Sequence, residues 1–209
     1  MKKLTIILLL FLFNCSTYPW KDGNIYYSIE EGFSFKEIKI IEKAMRKWEA
    51  CGYIKFIPTK NKKEYYKIIK KESIGTIGGS STIGYSSESY MLLYQVTPLI
   101  ILHELGHCLG LQHEHQRHDR NDYIKVHWKN IYISNFNNFF FIYDGLIDIK
   151  KYKYDYKSIM HYNSLSFSKN NKTTMSPIDS KYILEDLGGR ELTETDCLKI
   201  RDIYKDTNK

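Results

Sequence analysis

The clearest pattern in the chain is an apolar stripe with helical spacing in its first quarter. Four apolar positions there lie three or four residues apart: Ile38, Ile41, Met45 and Trp48. Ser34 and Glu37 precede the stripe in the capping-box arrangement, in which each side chain can accept a hydrogen bond from the other residue's backbone amide. The pattern predicts an amphipathic helix over 35–49 that buries one face in a hydrophobic core.

Shorter runs of aromatic and β-branched residues predict β-strands. They cover 25–29, 53–57 and 65–69, and a further run lies near 90–94. Pro58 ends the second run, because proline cannot donate a hydrogen bond to a neighbouring strand. The glycines before the last run lack the strand-then-helix context of a phosphate loop. We therefore predict turns at Gly75, Gly78, Gly79 and Gly84.

A second helix is predicted to begin after Thr97. Threonine is a good N-cap, Pro98 suits the first helical position, and the next four residues are all apolar. An apolar run of this kind indicates a helix that is buried on most sides. The same helix carries His103, Glu104 and His107, whose polar groups would each cost about 2–7 kcal/mol if they were buried without partners. These three side chains therefore need a chemical reason to be there.

The first 14 residues have the pattern of an export signal. Lys2 and Lys3 precede an apolar run that extends from Leu4 to Phe13. This run is about half of the length that spans a bilayer as a helix. A signal peptide over 1–14 is therefore favoured over a membrane anchor or a buried amino-terminal helix. The sequence thus predicts a protein that works outside the cytoplasm.

Cys15 follows this run and resembles the acylated cysteine of a bacterial lipoprotein, because Leu12 stands three residues before it. Asn14 occupies a position where that motif usually has a smaller residue, so ordinary cleavage and free secretion remain an alternative. We predict a short tether over 15–17, with a lipid on Cys15 that attaches the protein to a membrane. A single domain over 18–209 would follow.

Composition narrows the class of protein without naming a partner. The chain has 209 residues, of which 43% are hydrophobic, and a formal net charge of +7. These values fit one globular domain and exclude a disordered or a polytopic membrane protein. The basic residues are spread along the chain rather than clustered on one face or helix, so no nucleic-acid partner is predicted.

The cysteines do not define a disulfide. Export permits disulfides, but the chain has four cysteines, and an odd number remains if Cys15 is acylated. Cys108 lies in an apolar helical run and is interpreted as a small buried hydrophobic residue. Spacing leaves the pairing of Cys51, Cys108 and Cys197 open, and we assign no disulfide.

Histidine is confined to one part of the chain, because all seven lie between positions 103 and 161. His103 and His107 are about one helical turn apart, so their imidazoles leave the same face of the predicted helix. Gly110 can end that helix in a left-handed conformation and let the chain bring His113 to the same point. Three nitrogen ligands with an open position suit one catalytic zinc ion, and Glu104 beside it suits a general base.

The extended pattern makes this interpretation specific. Residues 103–113 fill His-Glu-x-x-His-x-x-Gly-x-x-His at every fixed position, which is the metzincin form of the zinc motif. Downstream, residues 158–162 are Ser-Ile-Met-His-Tyr, and Met160 can close a turn beneath the metal. Together the two elements predict hydrolysis of an amide bond.

At these two elements the chain resembles the astacin family of zinc metalloendopeptidases. The similarity covers nearly the whole mature chain, from Tyr18 to Ile200. The resemblance implies an α+β, zincin-like metzincin domain with two lobes about a cleft. The upper lobe would hold a twisted, mostly antiparallel-edged sheet with two long helices, and the irregular lower lobe would include a C-terminal helix. Substrate would lie as an added strand along a sheet edge, which we place near 89–93.

The same resemblance implies a role for each site residue. The zinc ligands would be His103, His107, His113 and Tyr162. Glu104 would be the catalytic base. Tyr162 would also be catalytic, because it would leave the metal to donate a hydrogen bond to the tetrahedral oxyanion. Met160 would support the site without touching the ion, and the partner would be a protein or peptide substrate. The remaining histidines are interpreted as structural or surface residues: His115, His118, His127 and, within the methionine turn, His161.

Three features depart from the family pattern. The family pairs four cysteines, whereas the expected partner of Cys51 is missing and Cys197 lies about a turn too early to replace it. Only two residues separate Cys15 from Tyr18, where the domain begins, so we expect activity without removal of a propeptide once the chain is exported and metallated. The family counterpart of Glu114 contacts a free amino terminus, which a tethered chain would not supply. We therefore expect Glu114 to have another partner or a water.

Two alternatives remain open. A catalytically silent module could keep the cleft in order to bind peptides, although such a module has no need of Glu104. Another type of metzincin is the second alternative, but Tyr162, two residues after Met160, favours the astacin type.

Overall fold

A mixed five-stranded sheet forms the base of the upper lobe. Its strands are β1 (Asn24–Ile29), β2 (Lys55–Pro58), β3 (Tyr66–Lys70), β4 (Gly79–Ser81) and β5 (Tyr90–Leu93), in the order β2-β1-β3-β5-β4. The first four in this order are parallel, and β4 runs antiparallel to β5. The computed structural model describes residues 18–60, 64–72, 78–143 and 145–207. The predicted signal peptide, the tether and Cys15 lie outside these residues.

Two predictions about this sheet are wrong. Gly79 lies in strand β4 rather than in a turn, and β4 pairs Ser81 with Met91 of β5. β5 is therefore an inner strand, so the substrate edge predicted near 89–93 is wrong. Among the described strands the two edges of the sheet are β2 and β4, and β4 is the edge that lies next to β5. A strand of three glycine and serine residues lacks the apolar alternation by which a strand is recognised in a sequence.

Helix α1 (Phe35–Glu49) confirms the first predicted helix and its cap. The Glu37 amide donates to the Ser34 hydroxyl at 3.3 Å, and the Ser34 amide donates to the Glu37 carboxylate at 2.7 Å. Three of the four predicted apolar residues pack into the core, whereas Ile38 is only half-buried and lies outside the core cluster. In the core the indole nitrogen of Trp48 donates to the Leu102 carbonyl at 3.0 Å. This bond connects α1 to the second helix.

Helix α2 (Pro98–Cys108) is buried along most of its length and contacts α1, β4 and β5. The Ile100 amide donates to the Thr97 hydroxyl at 3.3 Å, which confirms the predicted cap. Gly110 has a φ of +99°, a left-handed conformation that glycine adopts without a steric penalty. The chain turns back there, as predicted.

Both ends of the domain close on the last turn of α2. The indole nitrogen of Trp20 donates to the Cys108 carbonyl at 2.8 Å, and the Tyr204 hydroxyl donates to the Leu109 carbonyl at 3.2 Å. The carbonyls at the end of a helix have no partner within the helix. Side chains from the beginning and the end of the described chain supply these partners.

The lower lobe is largely irregular. It contains a two-stranded sheet of β6 (Ile124–Val126) and β7 (Met175–Pro177), several short 3-10 turns and a hydrophobic cluster of its own. Helix α3 (Glu194–Tyr204) follows and packs against the core of the upper lobe. This architecture confirms the α+β class, with a sheet that is mostly parallel and antiparallel only at its β4 edge. None of the described helices is long and apolar enough to cross a membrane.

Cys51 and Cys197 form a disulfide, which answers the question of pairing that spacing left open. The expectation that Cys197 lies too early to replace the family partner of Cys51 is wrong. Their Cα atoms are 4.9 Å apart because the end of α1 and the first turn of α3 lie side by side. Arg201 strengthens the same contact, since its Nε donates to the Cys51 carbonyl at 2.7 Å. Spacing could not reveal a contact between residues 146 positions apart. Closing a loop of this length stabilises the folded chain by about 5 kcal/mol. Cys108 is a free, buried thiol, as predicted.

Candidate active site

The side chains of His103, His107 and His113 converge on one point. The first two lie one turn apart on α2, and the turn at Gly110 brings the third back beside them. Nε2 of His113 lies 3.1 Å from Nε2 of His103 and 3.1 Å from Nε2 of His107. Two nitrogen ligands of a tetrahedral zinc ion are about 3.3 Å apart. The spacing of the imidazoles therefore fits the metal.

The opposite nitrogen of each ring is held by an oxygen acceptor. The acceptors, at 2.7–2.8 Å from Nδ1, are the Ile159 carbonyl for His103, the Leu111 carbonyl for His107 and the Gln116 side-chain oxygen for His113. Because these oxygens can only accept, each Nδ1 carries the proton and each Nε2 presents a lone pair. Lone pairs that face one another repel unless a cation lies between them. The donor set therefore fits zinc.

Burial keeps these imidazoles neutral. Desolvation lowers the pKa of all three, and the pKa of His107 falls to about 3, with the neighbouring His103 as the second cause. Neutral imidazole is the form that binds a metal. The three side chains are therefore in the binding form at neutral pH.

Glu104 follows the first of these histidines on α2 and lies beneath the edge strand β4. A Cβ atom at Gly79 would lie 2.9 Å from Glu104 Cγ, so β4 passes directly over this side chain. Burial raises the pKa of the carboxyl to about 8, and a cation at the histidines would oppose that shift by favouring the charged form. Oε2 is buried and has no hydrogen-bond partner among the described residues. Since buried carboxylate oxygens are normally satisfied, Oε2 is placed to receive a polar group brought to the site.

Tyr162 packs against the third histidine of the group. Its ring centroid lies 4.6 Å from that of His113 and 4.1 Å from that of His115, on which it stacks. Burial and the nearby Glu104 carboxylate raise the pKa of the Tyr162 hydroxyl above its usual value. His115 is fully buried, and its Nε2 donates to the Asn138 carbonyl at 2.9 Å. His115 is thus a structural residue, as predicted, and it orients the tyrosine ring.

The other three histidines also lie outside the group of three, as predicted. His127 hydrogen-bonds a serine hydroxyl of β7, and His118 stacks on Tyr143. His161 lies within the methionine turn, where its Nε2 is 2.8 Å from the Tyr154 hydroxyl. These side chains support the lower lobe.

The methionine turn lies directly beneath α2. A Cβ atom at Gly106 would clash with Met160 Sδ, so the thioether packs against the helix backbone between His103 and His107. Asp196 of α3 holds this turn, because its carboxylate accepts from the Ser158 hydroxyl at 2.6 Å and from the Ile159 amide at 3.0 Å. The carbonyl of Ile159 in turn fixes the His103 ring. Helix α3 therefore supports the site from below.

Glu114, the residue after His113, has its partners inside the domain. The Arg117 guanidinium donates to Oε1 at 2.9 Å and the Asp155 amide donates to Oε1 at 3.0 Å. The Lys199 ammonium, from α3, donates to Oε2. The expectation of a partner other than the amino terminus is confirmed.

The contributions of Asp196 and Lys199 to the site were not predicted from the sequence. Both are buried on α3, and they share the i, i+3, i+4, i+7 spacing of a core-facing stripe with Ile200 and Ile203. Charged residues are almost never fully buried unless they are paired. Two charges on an apolar stripe are therefore the signal that could have identified them.

The fold and this site together define a metzincin domain. The family model for astacin, a family of peptidases, matches residues 13–205. The chain belongs to the astacin family.

The comparisons with individual proteins agree with this family. The chain is 34% identical over 189 residues to zinc metalloproteinase nas-6 of Caenorhabditis elegans, a match that covers 88% of this chain and 53% of that protein. It is 31% identical over 184 residues to low choriolytic enzyme of Oryzias latipes, a match that covers 86% of this chain and 64% of that protein. The chain spans about half the length of the curated relatives it matches.

A solved structure shows the same fold. High choriolytic enzyme 1, a hatching enzyme zinc-protease from Oryzias latipes, superimposes with a TM-score of 0.78 at 28% identity, over 98% of both chains. The predictions of the family, the fold class and a zinc cofactor are confirmed.

The close contact between α2 and the methionine turn predicts an unusual result for Gly106→Ala. Alanine normally favours a helix over glycine by about 1 kcal/mol. Here its methyl group would clash with Met160 Sδ, and overpacking typically costs about 1–3 kcal/mol. We expect the free energy of unfolding of the metal-free protein, measured by chemical denaturation, to fall.

The matched control is the same substitution in a Met160→Ala background. The Sδ atom is absent there, and the closest remaining contact of the new methyl group is 3.2 Å to the Trp48 indole. Gly106→Ala should therefore lower the free energy of unfolding much less than it does in the unaltered protein. Equal losses in the two backgrounds would show that the thioether is not in contact with the helix.

Proposed function

We propose that the protein is a zinc-dependent endopeptidase that hydrolyses peptide bonds of proteins outside the cytoplasm. The observation that carries this proposal is the convergence of three imidazole lone pairs beside the buried Glu104, under the edge of a sheet. Membership of a peptidase family supports the same activity. A catalytically silent peptide-binding module is the alternative.

Strand β4 is the proposed binding edge for the substrate. Among the described strands it pairs only with β5, so the backbone groups on its outer side are free to pair with an extended peptide. Gly79 of β4 lies over Glu104. A peptide added along this edge would therefore pass close to the base.

The proposed mechanism uses a bound zinc ion and three types of side chain, which are histidine, glutamate and tyrosine. His103, His107 and His113 would hold zinc, which when bound supplies a water with a pKa near 7 and polarises a carbonyl. Glu104 takes a proton from the attacking water at its carboxylate and passes it to the leaving amine. The cover of β4 over Glu104 limits access of bulk water to this proton.

Tyr162 is proposed as the donor to the oxyanion of the tetrahedral intermediate. A tyrosine hydroxyl is protonated at neutral pH, and burial raises the pKa of this one further, so it can donate. The stack on His115 fixes the ring and limits the directions that the hydroxyl can take. A positioned donor of this kind stabilises a transition state by about 3–4 kcal/mol.

Glu104→Gln tests the role of the base. The amide is nearly isosteric but cannot accept a proton, so we expect the rate of cleavage of a denatured protein to fall by about 10²–10⁴-fold. Zinc content, measured by atomic absorption, should stay at one ion per chain. A chelator should abolish cleavage by the unaltered protein, and added zinc should restore it.

Equal rates for the unaltered protein and Glu104→Gln would contradict the mechanism. Binding of peptides without cleavage by the unaltered, zinc-loaded protein would favour the silent module instead.

Tyr162→Phe tests the oxyanion donor. Phenylalanine keeps the stack on His115 and removes only the hydroxyl, so we expect kcat to fall by about 10²–10³-fold while KM changes little. Tyr143→Phe is the matched control, because Tyr143 is exposed and lies on the lower lobe. The role fails if kcat of Tyr162→Phe equals that of the control.

The proposed location is outside the cytoplasm, with a lipid anchor at Cys15. The support is the pattern of residues 2–15 and the disulfide between Cys51 and Cys197, since disulfides persist in oxidising compartments. Free secretion after cleavage is the alternative.

Mass spectrometry of the mature protein tests this location. We expect a chain that begins at an acylated Cys15 and contains a disulfide-linked pair of peptides with Cys51 and Cys197. Cys15→Ser should move the protein from the membrane fraction to the soluble fraction. An unmodified amino terminus at another position would rule out the anchor and leave secretion.

A further inference from the structure

A buried carboxylate stands directly after the third histidine of the proposed metal site. Glu114 is 2% exposed and belongs, with Gln116, to the short 3-10 turn of residues 114–116. Gln116 holds the ring of His113, and the Glu114 amide donates to the Met160 carbonyl at 3.0 Å. Any displacement of Glu114 would therefore move His113 and its hydrogen-bond partner together.

Two cations contact the Glu114 carboxylate, and one of them also pairs with a second carboxylate. Arg117 donates through Nε and Nη2 to the two carboxylate oxygens of Asp119, at 2.9 and 2.8 Å, and through Nη1 to Glu114. Lys199 forms an ion pair with Glu114 and with no other carboxylate of the described residues. Without Lys199, the buried Glu114 and the partly exposed Asp119 would share one guanidinium.

The lysine comes from a distant part of the chain. Lys199 lies on α3, is 5% exposed, and is 85 positions from Glu114. One turn before it on the same helix face, Asp196 holds the methionine turn. Helix α3 thus contacts two of the three segments that orient the histidines, the methionine turn through Asp196 and the turn of residues 114–116 through Lys199.

We propose that Lys199 is a positioning residue of the metal site: its ammonium neutralises Glu114 and so couples helix α3 to the third ligand, His113. The proposal rests on the proposed function, since it assumes that the three histidines bind zinc. Hydrogen-bonded groups behind metal ligands typically contribute 10–100-fold to metal affinity. Lys199 would act indirectly on His113, through Glu114 and the turn of residues 114–116.

Lys199→Met is the first variant to measure. Methionine has a similar length and no charge, so it leaves Glu114 with a surplus of buried negative charge. We expect the dissociation constant for zinc, measured by competition with a chelating dye, to rise by about 10–100-fold. The measurement is made well below the melting temperature, where circular dichroism shows that the metal-free protein is folded.

Two control variants separate this role from a general effect on α3. Lys199→Arg keeps the charge and can fit, because the pair borders a cavity of about 100 Å³. It should restore most of the affinity. Lys205→Met removes an exposed lysine, paired with Asp202, immediately after the same helix, and should leave the affinity unchanged.

The double variant Glu114→Gln/Lys199→Met removes both charges. Its loss of affinity should be smaller than the sum of the two single losses, since the surplus charge is gone. If Lys199→Met does not fold, Lys199→Gln carries the test, because its amide removes the charge and can still donate a hydrogen bond to Glu114: reduced zinc affinity supports the proposal, and unchanged affinity overturns it.

A merely structural role would lower the melting temperature of Lys199→Met and leave its zinc affinity intact, and this result would overturn the proposal. The zinc affinity of the unaltered protein tests the assumption that the three histidines bind zinc. If the unaltered protein does not bind zinc, the proposed function fails. If it binds zinc and Lys199→Met binds it equally well, only the role of Lys199 fails.

Discussion

Three imidazole lone pairs that face one another at about 3 Å are unfavourable by themselves, and much of the fold serves to hold them there. Each ring is fixed through its other nitrogen by an acceptor in a different segment: Ile159, Leu111 and Gln116. These segments belong to the methionine turn, the turn after α2 and the short 3-10 turn that follows. The three rings can therefore keep their geometry only when both lobes are in place.

Charged groups in the interior carry part of this task. Asp196 and Lys199 approach the site from the same face of α3. The Asp196 carboxylate accepts hydrogen bonds from a hydroxyl and an amide, and the Lys199 ammonium pairs with a carboxylate. Buried charges contribute little net stability, because desolvation offsets their attraction. Their contribution is to geometry, because a buried charge with a specific partner fixes the position of the helix that carries it.

The histidine motif and the two main helices could be predicted from the sequence, because their spacing is fixed locally by helix geometry and metal coordination. The capping box at Ser34, the cap at Thr97 and the turn at Gly110 are local in the same sense. The features that were not predicted depend on contacts with other segments of the chain. The disulfide of Cys51 joins distant segments, and the edge strand at Gly79 is defined by its neighbour rather than by its own residues. Neither contact has a local signature.

The contacts at the last turn of α2 also constrain when the domain can fold during synthesis. Its carbonyl groups are satisfied by Trp20, near the start of the described chain, and by Tyr204, near its end. A ribosome delivers Trp20, the sheet and both upper helices long before it delivers Tyr204. The helix that bears His103 and His107 thus lacks one of its partners until the chain has been made as far as Tyr204, and a shorter partial chain lacks the framework for the site.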